Sequence, residues 1–347
     1  MDVLIQFVKI ATVFSALMLG VSIMTWVERR VSAVIQYRWG PNRVGPFGLL
    51  QPIADGIKFI QKEDIIPAEA HKVFYVLAPA LAVIPALCAF AVIPFGPTVT
   101  AFGKTIPLVL LDLDGGLLWA FAVTGLGVYA IVLAGWSSNS KFALIGGLRS
   151  SAQLISYELP MALAVASVIL VAGTLRPTLI VEQQAGAFWH WNVFQAGFPL
   201  LGFLLFTVAG YAETNRVPFD LPEAEGELVA GYHTEYSGMR FASFFMAEYV
   251  NMMTSSALGI TLFLGGWQLG IPTRWLPEPG WLLWSLQVAA FVAKLAAFQF
   301  LYVWVRWTLP RFRYDQLMNL AWKGLLPLSL ANLALTALLV VYGVVGH

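Results

Sequence analysis

Apolar runs long enough to cross a bilayer recur along the chain. A transmembrane helix needs about 20 mostly apolar residues. Eight stretches meet or approach that length: roughly 3–27, 74–95, 117–136, 153–173, 198–212, 241–265, 281–305 and 323–344. The fifth is short, so the adjoining turn extends it or neighbouring helices enclose it. An even number of spans places both termini on one side. Between the first two spans the pattern changes. In "GPFGLLQPIADGIKFIQKED", Leu49, Ile53, Ile57 and Ile60 form a stripe at i, i+4, i+8 and i+11, while Gln51, Asp55, Lys58 and Lys62 line the other side. Pro52 suits a first helical turn. The spacing predicts an amphipathic helix over about 49–62, too short and too charged to span, lying at the cytoplasmic interface. It is either a plain surface anchor or a wall of a cavity at the membrane surface. The expected fold class is an all-α polytopic membrane protein: eight transmembrane helices plus this short cytoplasmic-side amphipathic helix, in one membrane domain over 1–347 with no soluble domain, internal repeat or low-complexity tract. Proline and glycine cluster at 40–52, 94–97 and 270–280, which read as loops.

Composition agrees with the pattern. The chain has 347 residues, of which 59% are hydrophobic and 11% charged, and a mean hydropathy of +0.75. Soluble domains average about 45–50% apolar residues, so lipid is the main solvent here. The first apolar stretch is longer than the core of a signal peptide and no small-residue cleavage site follows, so it reads as a retained span. The net charge of +1 points to no nucleic-acid or acidic partner. Charge placement says more. Arg29, Arg30, Arg38, Arg43, Lys58, Lys62, Lys72, Lys141, Arg149, Arg216, Arg240, Arg306, Arg311, Arg313 and Lys323 follow the odd-numbered spans, 15 of the 20 lysines and arginines. Lys9, Lys104, Arg176 and Arg274 fall on the other side, and Lys294 lies within the seventh span. The odd-numbered loops therefore face the cytoplasm or its topological equivalent, and both termini face outward. One cysteine, Cys88, and four scattered histidines (His71, His190, His233, His347) provide no ligand set for haem, metal or an iron–sulfur cluster. Any electron carriers sit on other chains or diffuse in.

Ionisable residues within spans are costly and usually functional. Three stand out: Glu158 in "LISYELPMALAV", Glu248 in "FFMAEYVNMM" and Lys294 in "AFVAKLAAF". A structural ion pair between Lys294 and one glutamate accounts for part of this set but not for all the acids. A second concentration is "AETNRVPFDLPEAEGELVAGYHTEYSG". Glu213, Asp220, Glu223, Glu225, Glu227 and Glu235 fall there against a single cation, Arg216. Pro218 and Pro222 stop a helix from running through. A solvated acidic loop is the bland reading. Against it, the stretch hardly mixes signs, and Phe219, Leu221, Leu228 and Val229 call for burial. Carboxylates crowded together in partial burial repel, so some hold protons near neutral pH and respond to charge arriving nearby. A third concentration, "WVERRVSAVIQYRWGPNRVG", closes the first span. Positive-inside anchoring explains Arg30 and Arg43 there but not Glu28.

These segments carry a resemblance. "ERRVSAVIQYRWGPNRVGPFGLLQPIADGIK", "GWSSNSKFALIGGLRSSAQLISYELP", the acidic stretch above, "FFMAEY" and "LPRFRYDQLMNLAWKGLLPL" run from about residue 28 to 328. Together they resemble the H-type membrane-subunit family of bacterial NADH:quinone oxidoreductase, respiratory complex I, and its mitochondrial counterpart, NADH dehydrogenase subunit 1. Stretches 96–115, 176–197 and 267–280 match nothing in the pattern and imply nothing. The resemblance implies an eight-span subunit at the joint between a hydrophilic redox arm and a membrane arm, in a bacterial inner membrane or a mitochondrial inner membrane. It implies quinone as substrate and no cofactor on this chain, with iron–sulfur clusters, FMN and NADH on partner subunits. The implied partners are the iron–sulfur subunit with the terminal cluster, the hydrophilic quinone-site subunit and small membrane subunits. Glu28, Arg29, Arg38, Asp55, Arg216 and Phe241 then correspond to quinone-channel positions. Glu158, Glu213, Glu223, Glu225, Glu227 and Glu248 correspond to an acidic funnel that relays protons, with Asp220 at the junction and Tyr157 and Tyr249 as hydroxyl relays. The chain would catalyse nothing alone.

Two other readings compete. One is the equivalent subunit of a related complex, either a hydrogenase or a quinone reductase fed by ferredoxin or a deazaflavin donor. The other is a free-standing ion or solute transporter with Glu158, Glu248 and Lys294 on its path. Transporters commonly carry internal repeats, and this sequence has none.

Overall fold

The apolar stretches are helices in the computed structural model, which describes residues 2–101, 103–195, 199–220, 229–272 and 280–343. In chain order these are α1 (Asp2–Ile35), α2 (Gln51–Gln61), α3 (Lys72–Phe90), the strands β1 (Thr98–Ala101) and β2 (Lys104–Pro107), α4 (Gly116–Ser137), α5 (Lys141–Ala172), α6 (Pro177–Gln183), α7 (Pro199–Glu213), α8 (Gly238–Phe263), α9 (Gly280–Thr308), α10 (Tyr314–Asn319) and α11 (Leu326–Val341). A π-helical segment, Leu320–Leu325, joins α10 to α11 without a break. Six helical stretches among the described residues are long and apolar enough to cross a membrane: Val3–Ile35, Lys72–Phe90, Gly116–Ser137, Lys141–Ala172, Gly280–Thr308 and Tyr314–Val341. The chain is a helical membrane protein.

The two remaining long helices differ for physical reasons. α7 has 15 residues, about 22 Å at 1.5 Å per residue, short of a hydrocarbon core of about 30 Å. α8 is 26 residues long, but Arg240, Glu248, Asn251, Thr254, Ser255 and Thr261 dilute its apolar character. It tolerates them because most of its second half is buried. Several helices also run past the apolar runs. α1 continues to Ile35, which places Glu28 and Arg29 on the helix itself. α5 begins at Lys141, twelve residues before the apolar run at 153. The segment 96–115, in which the sequence shows no motif, contains a two-stranded antiparallel hairpin, with Thr98 opposite Pro107 and Ala101 opposite Lys104.

α3, α4, α5, α7, α8 and α11 pack together, and α1 and α9 lie against each other and against α8. The core is a continuous apolar cluster that includes Tyr157, Met161, Phe206, Phe263 and Leu317. A second cluster centres on Tyr75, whose ring stacks on Tyr236 with centroids 4.1 Å apart. Outward-facing positions are apolar too: Leu4, Phe7, Phe14 and Leu19 on α1 and Trp281, Val292 and Trp304 on α9 are exposed, as expected where lipid or another apolar surface is the neighbour. Two glycines shape α5, one where it meets the site and one at its far end. A Cβ on Gly146 of α5 would lie 2.8 Å from the Gly231 backbone, so its absence lets the turn Gly231–His233 rest directly on α5. Gly173, at φ 65°, ends α5 in the left-handed conformation, and its N–H donates to the Ile169 carbonyl at 2.8 Å.

Candidate functional site

The buried charges gather where α1, α8 and α9 meet the turn after α7. That turn is built by local backbone chemistry. The Thr214 N–H closes onto the Gly210 carbonyl at 3.1 Å. Asn215 takes φ 52°, a conformation asparagine tolerates better than most residues. Val217–Pro218 is cis, and the Phe219 N–H returns to the Arg216 carbonyl at 2.8 Å. Gln153 of α5, fully buried, fixes the turn from below. Its amide donates to the carbonyls of Ala212 and Phe219, both at 2.8 Å, and to Asn215 Oδ1 at 3.2 Å. Arg216 is thereby aimed inward.

Arg216 and Glu28 are each 7% exposed. Arg216 Nη1 donates to Glu28 Oε1 at 3.0 Å, and its Nε lies 2.5 Å from Glu248 Oε1. The guanidinium also sits 4.5 Å above the Tyr249 ring, a cation–π contact. The Tyr249 hydroxyl donates to Glu28 Oε2 at 2.6 Å, and Arg306 of α9 pairs with Glu28 Oε1. Glu28 thus receives two guanidinium groups and a phenol. Buried charge is retained only where partners of this kind compensate for lost hydration. Burial works against the Arg216 charge, but Glu248 and Glu28 outweigh it and hold the group well above its ordinary pKa. Arg216 is a permanent cation bridging two helices' carboxylates.

On the far side of Arg216 is a cavity of about 70 Å³, room for at least one water. Glu158, Glu213 and Glu248 all line it, with Thr124, Tyr232 and Asn251. Glu158 points toward Gly125, where a Cβ would sit 3.4 Å from its Oε1. Glu213 and Asn251 also line a smaller void of about 10 Å³ with Thr254 and Ser255. Glu248 therefore faces both ways, toward Arg216 and toward the cavity.

The other sequence candidates are distributed around this core. Arg29 reaches Asp55 at 2.6 Å, which fastens α2 to the end of α1, and within α2 Gln51 donates to Asp55 at 3.2 Å. Phe241 packs between α2 and the 231–233 turn, with ring centroids 6.2 Å from Phe59 and 5.2 Å from His233. Asp220 pairs with Arg311 at 3.0 Å. Arg38 is exposed and bonds Gln36 at 2.6 Å, apart from the rest. The Tyr157 hydroxyl donates to the Leu317 carbonyl at 2.9 Å, just before the π-helical segment. Glu223, Glu225 and Glu227 lie outside the described residues.

An ion pair between Lys294 and a glutamate is not what forms. Lys294 Nζ donates to the carbonyls of Leu264, Gly266 and Gln268 at 2.7, 2.9 and 2.8 Å and lies 4.1 Å from the Trp191 ring centroid. The carbonyl end of α8 attracts the ammonium for the usual helix-end reasons. Arg306, Gln153 and Asn251 belong to the site as well, and sequence reasoning does not single them out. Arg306 looks like any positive-inside anchor, and its partner is 278 positions away. Gln153 gives one signal, a fully polar amide within an apolar span.

Among the described residues no group of three or more His, Cys, Asp and Glu forms a metal-binding cluster. Fold and site define a helical membrane protein with an internal ion network opening onto a carboxylate-lined cavity. A sequence profile of NADH dehydrogenase matches residues 8–337. An H-type NADH-quinone oxidoreductase subunit of Koribacter versatilis is 51% identical over 348 residues, covering 97% of each chain. An H-type subunit from Solibacter usitatus is 46% identical over 98% of each, and NADH-quinone oxidoreductase subunit 8 of Rhodothermus marinus is 51% identical over 94% of each. The chain belongs to the NADH dehydrogenase family, among relatives named as H-type subunits of NADH-quinone oxidoreductase.

Proposed function

We propose that the chain is the membrane subunit of a proton-pumping NADH–quinone oxidoreductase that guides quinone to its site and passes the consequence of its reduction into the membrane. In this reading eight helices cross the bilayer, α7 and α8 among them, with the arginine-rich loops on the cytoplasmic side. α2 lies along that surface and forms part of the quinone entrance with Arg29, Arg38, Asp55 and Phe241. The redox cofactors and the terminal iron–sulfur cluster sit on partner subunits. The observation that carries the reading is Arg216, held at once by Glu28 and by a cavity carboxylate, Glu248.

Reducing a quinone by two electrons creates a demand for two protons and a transient negative charge. A carboxylate network feels both. Extra negative charge near Glu28 competes for Arg216 and Arg306. As those contacts redistribute, Glu248 loses or gains compensation, and its affinity for a proton changes. In this reading Glu158 and Glu213, which line the same cavity, accept or release the proton, Asp220, Glu223, Glu225 and Glu227 extend the relay, and Tyr157 and Tyr249 serve as its hydroxyls.

The test is purification from native membranes in mild detergent through a tag on this chain. NADH:quinone reductase activity that is sensitive to quinone-site inhibitors, with iron–sulfur subunits co-purifying, is the expected result. Iron–sulfur partners without NADH activity would assign the chain to a complex with another donor. A chain that emerges alone would overturn the reading in favour of a transporter.

A further inference from the structure

Glu213 lies outside the Arg216 network, and one buried side chain of α9 stands between the two. Tyr302 is 4% exposed, and its ring stacks on Tyr211 of α7 with centroids 3.9 Å apart. It precedes Arg306 by one turn on the same face of α9, and both line a void of about 10 Å³ with Glu28 and Arg216. The hydroxyl end of Tyr302 reaches α7. A Cβ on Gly210 would lie 2.6 Å from Ser255 Oγ and 3.9 Å from the Tyr302 hydroxyl, so the two hydroxyls share the space that this glycine leaves. Glu213 follows Gly210 by three residues, on the same side of α7. With Asn251 and Ser255 it lines the second void of about 10 Å³. Asn251 Oδ1 is buried without a hydrogen-bond partner among the described residues, so that void has a polar wall.

We propose that Tyr302 is a positioning residue through which the charge of the Glu28, Arg216 and Arg306 cluster sets the protonation of Glu213. A ring alone would serve the stack on Tyr211, whereas a buried phenol hydroxyl calls for a polar use. The hydroxyl has one proton to donate and can rotate it. The Arg216 guanidinium repels that proton and turns it toward Ser255 and Glu213, where a donor favours the charged carboxylate. Negative charge arriving beside Glu28 offsets the guanidinium and lets the proton turn back, and Glu213 then holds its own proton more firmly. The other charged groups that share a cavity wall with Glu213 are Glu158 of α5 and Glu248 of α8. This role rests on the quinone coupling read above and adds a second way to Glu213, besides Glu248 and the larger cavity.

The intact assembly is purified through a tag on this chain as wild type, Tyr302→Phe, Glu213→Gln and the double variant. Phenylalanine keeps the stack and removes only the hydroxyl. Infrared spectra are recorded over a pH series, and the protonated-carboxyl band that Glu213→Gln abolishes is followed. That band should titrate about half a pH unit higher in Tyr302→Phe, because losing a donor favours the neutral acid. The pH profile of NADH:quinone turnover should move the same way in Tyr302→Phe and should not differ between Glu213→Gln and the double variant. A ring that serves packing alone would leave band and profile at their wild-type positions, and that result overturns the proposal. An equal displacement with and without Glu213 overturns it too, as does a Glu213→Gln spectrum that lacks no band. Should Tyr302→Phe not assemble, Ser255→Ala removes the neighbouring hydroxyl and is expected to move the band in the same direction; an unmoved band there overturns the proposal. A displaced band in samples without NADH:quinone activity would speak against the proposed function and not against the role of Tyr302.

Discussion

Replacing Arg216 with methionine removes the cation that Glu28 and Glu248 share while keeping similar bulk. At about 4 Å and an effective dielectric constant near 20, each such pair gains roughly 4 kcal/mol of Coulomb energy, most of it opposed by the desolvation of both ions. What matters is what remains. Glu28 keeps Arg306 and Tyr249, but both carboxylates stay buried with one full positive charge fewer beside them. Removing one partner from a buried ion pair costs about 3–5 kcal/mol. That equals a factor of roughly 10² to several 10³ in a linked equilibrium at about 1.36 kcal/mol per decade. Arg216→Met should therefore lower the unfolding temperature of the purified assembly and its quinone turnover. Neutralising the orphaned carboxylate should repair part of the loss, so the double variant Arg216→Met/Glu248→Gln should be more stable than Arg216→Met alone. The assay is a double-mutant cycle on thermal unfolding and on NADH:quinone turnover, with Glu248→Gln as the fourth corner. The coupling expected is at least about 1.5 kcal/mol, whereas independent sites add to within about 0.3–0.5 kcal/mol. Additive effects would refute the bridge.

Further consequences follow from other parts of the structure. Lys294→Met leaves three carbonyls at the end of α8 without their ammonium; with charged hydrogen bonds worth about 1.5–3 kcal/mol, amide exchange over 264–268 should quicken by about ten- to a hundredfold, and unchanged exchange would show that Lys294 is not the clamp. Gly146→Ala drives a methyl group to within 2.8 Å of the Gly231 backbone, an overpacking that costs about 1–3 kcal/mol; the unfolding temperature should fall, and a neutral result would mean that the 231–233 turn rests only loosely on α5. The hydrogen bonds from Arg176 hold Asp112 below the usual carboxylate pKa despite partial burial. A depressed folded pKa stabilises above the unfolded value and is lost as pH falls through the folded one. The stability gap between wild type and Asp112→Asn should thus be full near neutral pH and close below about pH 4; a gap independent of pH would remove the charge from the explanation.

The long apolar stretches read as helices directly from the sequence because the bilayer imposes a length and an intramolecular hydrogen-bonding rule on whatever crosses it. The helix over Gln51–Gln61 is equally legible from the apolar stripe of Ile53, Ile57 and Ile60 that follows Leu49. The ends of the elements are not. α1 runs on through Glu28 and Arg29 to Ile35, and α5 starts at Lys141, because helices outside the hydrocarbon continue on polar residues that hydropathy does not register. The acids can be singled out as costly, but their partners are set by packing. Arg216 meets Glu28 across 188 positions and Arg306 meets it across 278. Lys294 shows the limit most clearly. A lysine in an apolar span suggests a carboxylate partner, while the structure satisfies it with backbone carbonyls, which are present at every helix end and have no signature in the sequence.

The central claim is that the carboxylates around the cavity couple quinone reduction to proton movement. Glu213 tests it most directly, since it lines both the main cavity and the smaller void beyond it and takes no part in the Arg216 network. The measurement is quinone turnover and proton translocation, on the same vesicles, by an assembled enzyme carrying Glu213→Gln. Both should fall together while the subunits stay assembled. Wild-type turnover with wild-type pumping in that assembled variant would contradict the claim.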